Sequence, residues 1–125
     1  MNAQDTAQQP SVGAMQLAII GLGLISALIH ASFLLREEPL WVYLSFALVA
    51  VAYPAGLAGL YWQRVPVGLR KLARFLLIAI TVSVIVGYLY VGFTFDEFTG
   101  LGNVSLAAEV VLLVLLLLDA RRQAA

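Results

Sequence analysis

The chain has no cysteine and a single histidine, His30. The first absence excludes disulfide staples, thiolate metal sites, iron–sulfur clusters and thiol redox chemistry. Together they would leave a tetrahedral zinc ion almost only carboxylates, a donor set that zinc rarely takes. Charge is scarce as well. Only 11% of the 125 residues are charged, and seven acids balance seven bases. A soluble domain carries about 25% charged residues, and one this small needs a polar surface to stay in solution. A net charge of zero gives no basic field for nucleic acid and no acidic run for a basic partner. The sequence also lacks a phosphate loop, a nucleophile–base–acid set and a cluster with metal-ligand spacing. Gly21-Leu-Gly23-Leu-Ile-Ser26 superficially matches a dinucleotide fingerprint, but no strand precedes it and no acid follows in place. Neither enzymatic activity nor a resident cofactor or metal is expected.

What the chain does have is hydrocarbon: 62% of its residues are hydrophobic, and its mean hydropathy is +0.97. This composition places it in a lipid bilayer. Residues 1–13 are polar and aperiodic and read as a disordered cytoplasmic tail. They lack the basic start of a secretory signal, and the apolar run behind them is too long for one, so it reads as retained. Apolar segments then occupy about 14–35, 39–62, 71–93 and 103–119, with a short tail at 123–125. The first, 22 residues long, makes ~33 Å of helix, enough to cross a bilayer core. The expected fold is all-α, an integral membrane four-helix bundle.

Each segment carries its own punctuation. In the first, Gly23, Ala27 and Ala31 recur every fourth residue and let another helix approach closely. Arg36-Glu37-Glu38-Pro39 is a charged turn. The second has Trp41 and Tyr43 at one end and Tyr61 and Trp62 at the other, an aromatic belt at both interfaces. Pro54 near its middle predicts a kink, with Ala52, Gly56, Ala55 and Gly59 as further close-approach positions. Pro66 and Gly68 are read as breaking the chain between Gln63 and Leu72. Thr94 to Gly102 is an acidic loop, Asn103 is expected to cap the fourth helix, and Asp119 to end it.

The connections also set an orientation. Arg64, Arg70, Lys71, Arg74, Arg121 and Arg122 fall on one side, and only Arg36 falls on the other. The positive-inside rule then puts both termini in the cytoplasm and the acidic loops outside.

Within the apolar segments the anomaly is Glu109. It is the only ionisable group among the fourteen residues from Ser105 to Leu118. An isolated carboxylate in hydrocarbon costs at least ~2.5 kcal/mol, so it needs a partner, a proton or a wet cavity. Counting inward from the outer helix ends puts His30 at ~8 Å depth and Glu109 at ~9 Å, which makes them a candidate intramembrane polar pair. Tyr88 and Ser105 are candidate supporting groups at this level, with Tyr43, Tyr90, Ser32 and Asn103 at similar or shallower depth. The inner half offers only Thr81, Ser83 and Tyr53 near the midplane. Such a pair fixes helix register, or forms a proton- or ligand-binding site open to the outer face. Glu109 facing a partner subunit and His30 as an axial haem or chlorin ligand are the other readings.

Three short motifs carry a resemblance. They are Gly21-Leu-Gly23 followed by Ile29-His30, the glycine-rich aromatic stretch Tyr53 to Tyr61, and Gly100-Leu-Gly102 with Glu109-Val-Val-Leu112. Over most of residues 14–122 the chain resembles a group of uncharacterised small four-span membrane proteins of bacteria and archaea. The resemblance implies a four-helix fold and no established activity. A lysine often precedes the glutamate of such proteins by two or three positions. This chain has Ala107-Ala108 there, which leaves His30 as the partner. It does not resemble small multidrug transporters, whose essential glutamate lies in the first helix.

Three functions follow as expectations. The first is a non-enzymatic multi-pass protein of the cell membrane, an accessory or structural subunit packed against other membrane subunits or copies of itself. The second is an oligomeric proton-linked transporter or channel for a small solute, using Glu109 and His30. The third is a haem- or pigment-binding protein through His30.

Overall fold

The computed structural model describes residues 13–124, so the polar tail expected at 1–13 lies, except for Gly13, outside the described residues. Four α-helices and no strand make up the described chain: α1 (Ala14–Phe33), α2 (Leu40–Tyr61), α3 (Val67–Phe95) and α4 (Gly100–Ala124). All four are long and apolar enough to cross a membrane. Helix α1 packs on α2 and α4, and α3 packs on the same two; across the diagonals no backbones approach closely, and long side chains alone make contact. The short connections make each helix antiparallel to the next, so the bundle is an up-down ring.

Two helix starts differ from the sequence expectation. Helix α3 begins at Val67 rather than near Lys71, because Pro66 is its N-cap and Gly68 is accommodated in its first turn. Proline at a helix entrance has no N–H to leave unpaired, so it opens this helix where a break was expected. Arg70, Lys71 and Arg74 therefore sit on the helix, and Arg70 donates to the Trp62 and Val65 carbonyls of the preceding turn at 3.1 Å each.

Helix α4 begins at Gly100 rather than Asn103. Its cap is Thr99, whose hydroxyl accepts the Gly102 N–H at 2.9 Å, while Asn103 lies in the first turn with its N–H bonded to the Thr99 carbonyl. The helix then runs past Asp119, so Gln123 and Ala124 are helical rather than tail. Pro54 lies inside α2 on its exposed face, and the helix continues through it.

The inward face of α4 is Gly102, Ser105, Glu109, Leu112, Leu116 and Asp119, alternating steps of three and four. Helix α1 buries Ile19, Gly23, Ser26 and His30 in the same rhythm. A mean step of 3.5 residues is the seam of left-handed helix packing. Small residues on the seams are used within the chain: a Cβ added at Gly23 would lie 2.8 Å from Leu57, and one at Gly56 2.6 Å from Leu77.

Outward, the helices show aliphatic and aromatic side chains. Leu28 is 70% exposed, Leu48 67% and Phe75 66%. Inward, Ser26, His30, Thr81, Ser105, Glu109 and Asp119 are buried beside the apolar core. This polarity is inverted relative to a water-soluble bundle, as expected of helices whose outer solvent is hydrocarbon.

Candidate functional site

The inward polar residues gather at two levels. At the first, α4 contributes Ser105 and Glu109, one turn apart on its seam, and α1 contributes Ser26 and His30 in the same relation. The Ser105 hydroxyl donates to Glu109 Oε1 at 3.0 Å, and the Ser26 hydroxyl reaches the same oxygen at 3.4 Å. His30 Nε2 stands 3.8 Å from that oxygen, in ion-pair range but beyond a direct hydrogen bond. The other ring nitrogen, Nδ1, lies 2.7 Å from the Ser26 carbonyl. Phe33 and Phe46 pack around the imidazole, with ring centroids 5.8 and 6.1 Å away. Next to this set, the Tyr53 and Thr81 hydroxyls bond each other at 3.0 Å and link α2 to α3.

Equal depth below the helix ends does not explain how the two ionisable groups meet. His30 is three residues from the end of α1 and Glu109 nine from the start of α4, or ~4.5 and ~13.5 Å along the axes. Side chains lean toward the N-terminus of their own helix. In antiparallel helices this tips His30 and Glu109 toward each other.

Ser105 joins the site, and Tyr88 does not. With α4 starting one turn early, Tyr88 faces the α3–α4 turn, where its hydroxyl donates to Asn103 Oδ1 at 2.7 Å and accepts the Thr99 N–H at 3.1 Å. Ser32 and Ser83 return to carbonyls of their own helices, Ile29 and Ala79. No open axial position is offered to a haem or chlorin: the Nδ1 bond to the Ser26 carbonyl would suit a ligating histidine, but Nε2, the nitrogen left for a metal, faces Glu109 at 3.8 Å and the residue is only 5% exposed.

The second level was not anticipated. Asp119, fully buried, receives the Gln16 amide of α1 on Oδ1 at 2.9 Å. On Oδ2 it receives the Tyr61 hydroxyl of α2 at 3.3 Å and the Arg74 guanidinium of α3 at 3.5 Å. One carboxylate thus joins all four helices at the end where α1 begins and α4 closes. Between the two levels Ile19, Leu57, Leu60, Leu77, Leu112 and Leu116 form an apolar layer. Ten residues of α4 separate Glu109 from Asp119, ~15 Å along the helix.

No family model, curated protein or solved structure matches this chain, so the chemistry of both levels is read from their own geometry.

Proposed function

We propose that the protein is a multi-pass integral protein of the cell membrane, with both termini cytoplasmic and no catalytic activity of its own. Its work is that of a small accessory or structural subunit, packed in the bilayer beside larger membrane subunits or copies of itself. The inverted polarity of the bundle supports this most directly. The buried carboxylates find partners inside the chain, while Leu28, Leu48 and Phe75 face outward. Six of the seven Lys and Arg residues lie at the end where α1 starts, which favours a cytoplasmic assignment for that end. Because Gly23 and Gly56 are occupied by Leu57 and Leu77, the lateral surface left for a partner is mainly aliphatic. Association there rests on van der Waals packing. Extraction from native membranes in mild detergent tests this: one or more membrane proteins, or further copies, should co-purify at fixed stoichiometry. A lone, stable monomer overturns it.

A second reading, an oligomeric proton-linked transporter or channel, draws on the 3.8 Å approach of His30 to Glu109 in a buried, serine-lined site. Reconstituted protein should then move solute with a proton gradient. A Glu109→Gln variant indistinguishable from the parent removes it.

A further inference from the structure

The two nitrogens of His30 have different partners, and this fixes how many protons the site can hold. A backbone carbonyl only accepts, so Nδ1, 2.7 Å from the Ser26 carbonyl, carries a hydrogen. Nε2 is therefore either a bare lone pair or an imidazolium N–H, and it faces Glu109 Oε1. Both serine hydroxyls approach that oxygen as donors. They can solvate a carboxylate or a carboxylic acid, but they supply no charge.

With no proton shared between the two, a ring lone pair faces a carboxylate and the site holds an uncompensated negative charge. With two, an imidazolium faces a neutral acid and its positive charge has no counterion. One proton suits the geometry, as imidazolium with carboxylate or as imidazole with carboxylic acid.

Among the described residues nothing else at this level can balance the count. Helix α2 presents Phe46 and Tyr53 here, and the Tyr53 hydroxyl is bonded to Thr81 of α3, itself uncharged. On α4 the next buried acid, Asp119, is ten residues away and bound to Arg74. On α1 the neighbour is Ser26.

We propose that His30 and Glu109 form a one-proton binding site in the bundle core, with Ser26 fixing the tautomer of the ring and Ser26 and Ser105 solvating the carboxyl. The ligand is the proton itself, held between α1 and α4, so the packing of these helices responds to pH. The proposal rests on the site of the proton-linked reading, but not on transport.

The test is equilibrium unfolding of the full chain in mixed micelles across pH, referred to the double variant His30→Gln/Glu109→Gln as baseline. The parent should show a plateau flanked by two limbs. On each, the unfolding equilibrium constant rises by up to about tenfold per pH unit, the slope for one proton. Glu109→Gln should abolish the alkaline limb, because an amide can donate to the bare Nε2. His30→Gln should abolish the acidic limb, because no second basic group remains. A parent profile parallel to the double variant overturns the proposal.

Should the variants fail to fold, NMR of the parent decides it, since His30 is the only histidine in the chain. Imidazolium at His30 and carboxylic acid at Glu109 should together sum to one per chain on the plateau, and a sum of zero or two overturns the site. Absent flux in liposomes removes transport and leaves the proton site standing.

Discussion

Replacing Asp119 by alanine tests the four-way junction most sharply. The substitution strips an acceptor from three donors at once: Gln16 at 2.9 Å, Tyr61 at 3.3 Å and Arg74 at 3.5 Å. The amide bond contributes about 1 kcal/mol and the longer hydroxyl contact less. A buried charge deprived of its partner costs ~3–5 kcal/mol. The Arg74 side chain keeps 15% of its surface exposed and can turn partly toward headgroups, so that figure is an upper bound. The expected loss is about 3 kcal/mol in all. Asp119→Asn keeps the volume and the acceptor for Gln16 but loses the charge, and should fall between alanine and the parent. Asp119→Ala with Arg74→Ala should cost less than the sum of the two, because no unpaired cation remains. Unfolding in mixed micelles can be followed through Trp62, adjacent to Tyr61, after Trp41 is replaced by phenylalanine. An Asp119→Ala protein within ~0.5 kcal/mol of the parent, the range of a neutral surface change, would refute the reasoning.

The same assay reaches two other features. Gly56→Ala places a Cβ 2.6 Å from Leu77 Cδ2, and Leu77 is only 1% exposed. Overpacking should therefore cost ~1–3 kcal/mol, while alanine at the open Gly87 should cost nothing measurable. Thr99→Ala removes the hydroxyl that caps α4 and should destabilise by about 1 kcal/mol, with Thr99→Ser close to the parent.

The four helices could be read from length and hydropathy because each apolar run exceeds what a soluble core helix needs. The starts of α3 and α4 could not, because hydropathy does not register Pro66 opening a helix or Thr99 capping one. Nor could hydrophobicity show which face turns inward, since aliphatic residues occupy both. The inward face is instead marked by scarce polar residues: Ser105, Glu109 and Asp119 share one seam of α4, and Gln16, Ser26 and His30 lie along the packed side of α1. The ten-residue step from Glu109 to Asp119 carried that signal. It was masked because Asp119 stands beside Arg121 and Arg122 and reads as an interfacial residue closing the helix. Ser26 was hidden in a glycine-rich run, where a small polar residue looks like spacing.

Both buried carboxylates lie on α4, the last of the four helices to leave the ribosome. Until it arrives, Gln16, Tyr61, Arg74, Ser26 and His30 have already entered the bilayer without the acceptors they use in the finished bundle. Gln16 precedes Asp119 by 103 residues, on the order of 5–20 s of synthesis at typical elongation rates. For that interval the first three helices carry these polar side chains without the two carboxylates that bond them in the finished bundle. Docking of α4 closes both levels together, so neither polar level can form before that helix packs against the other three.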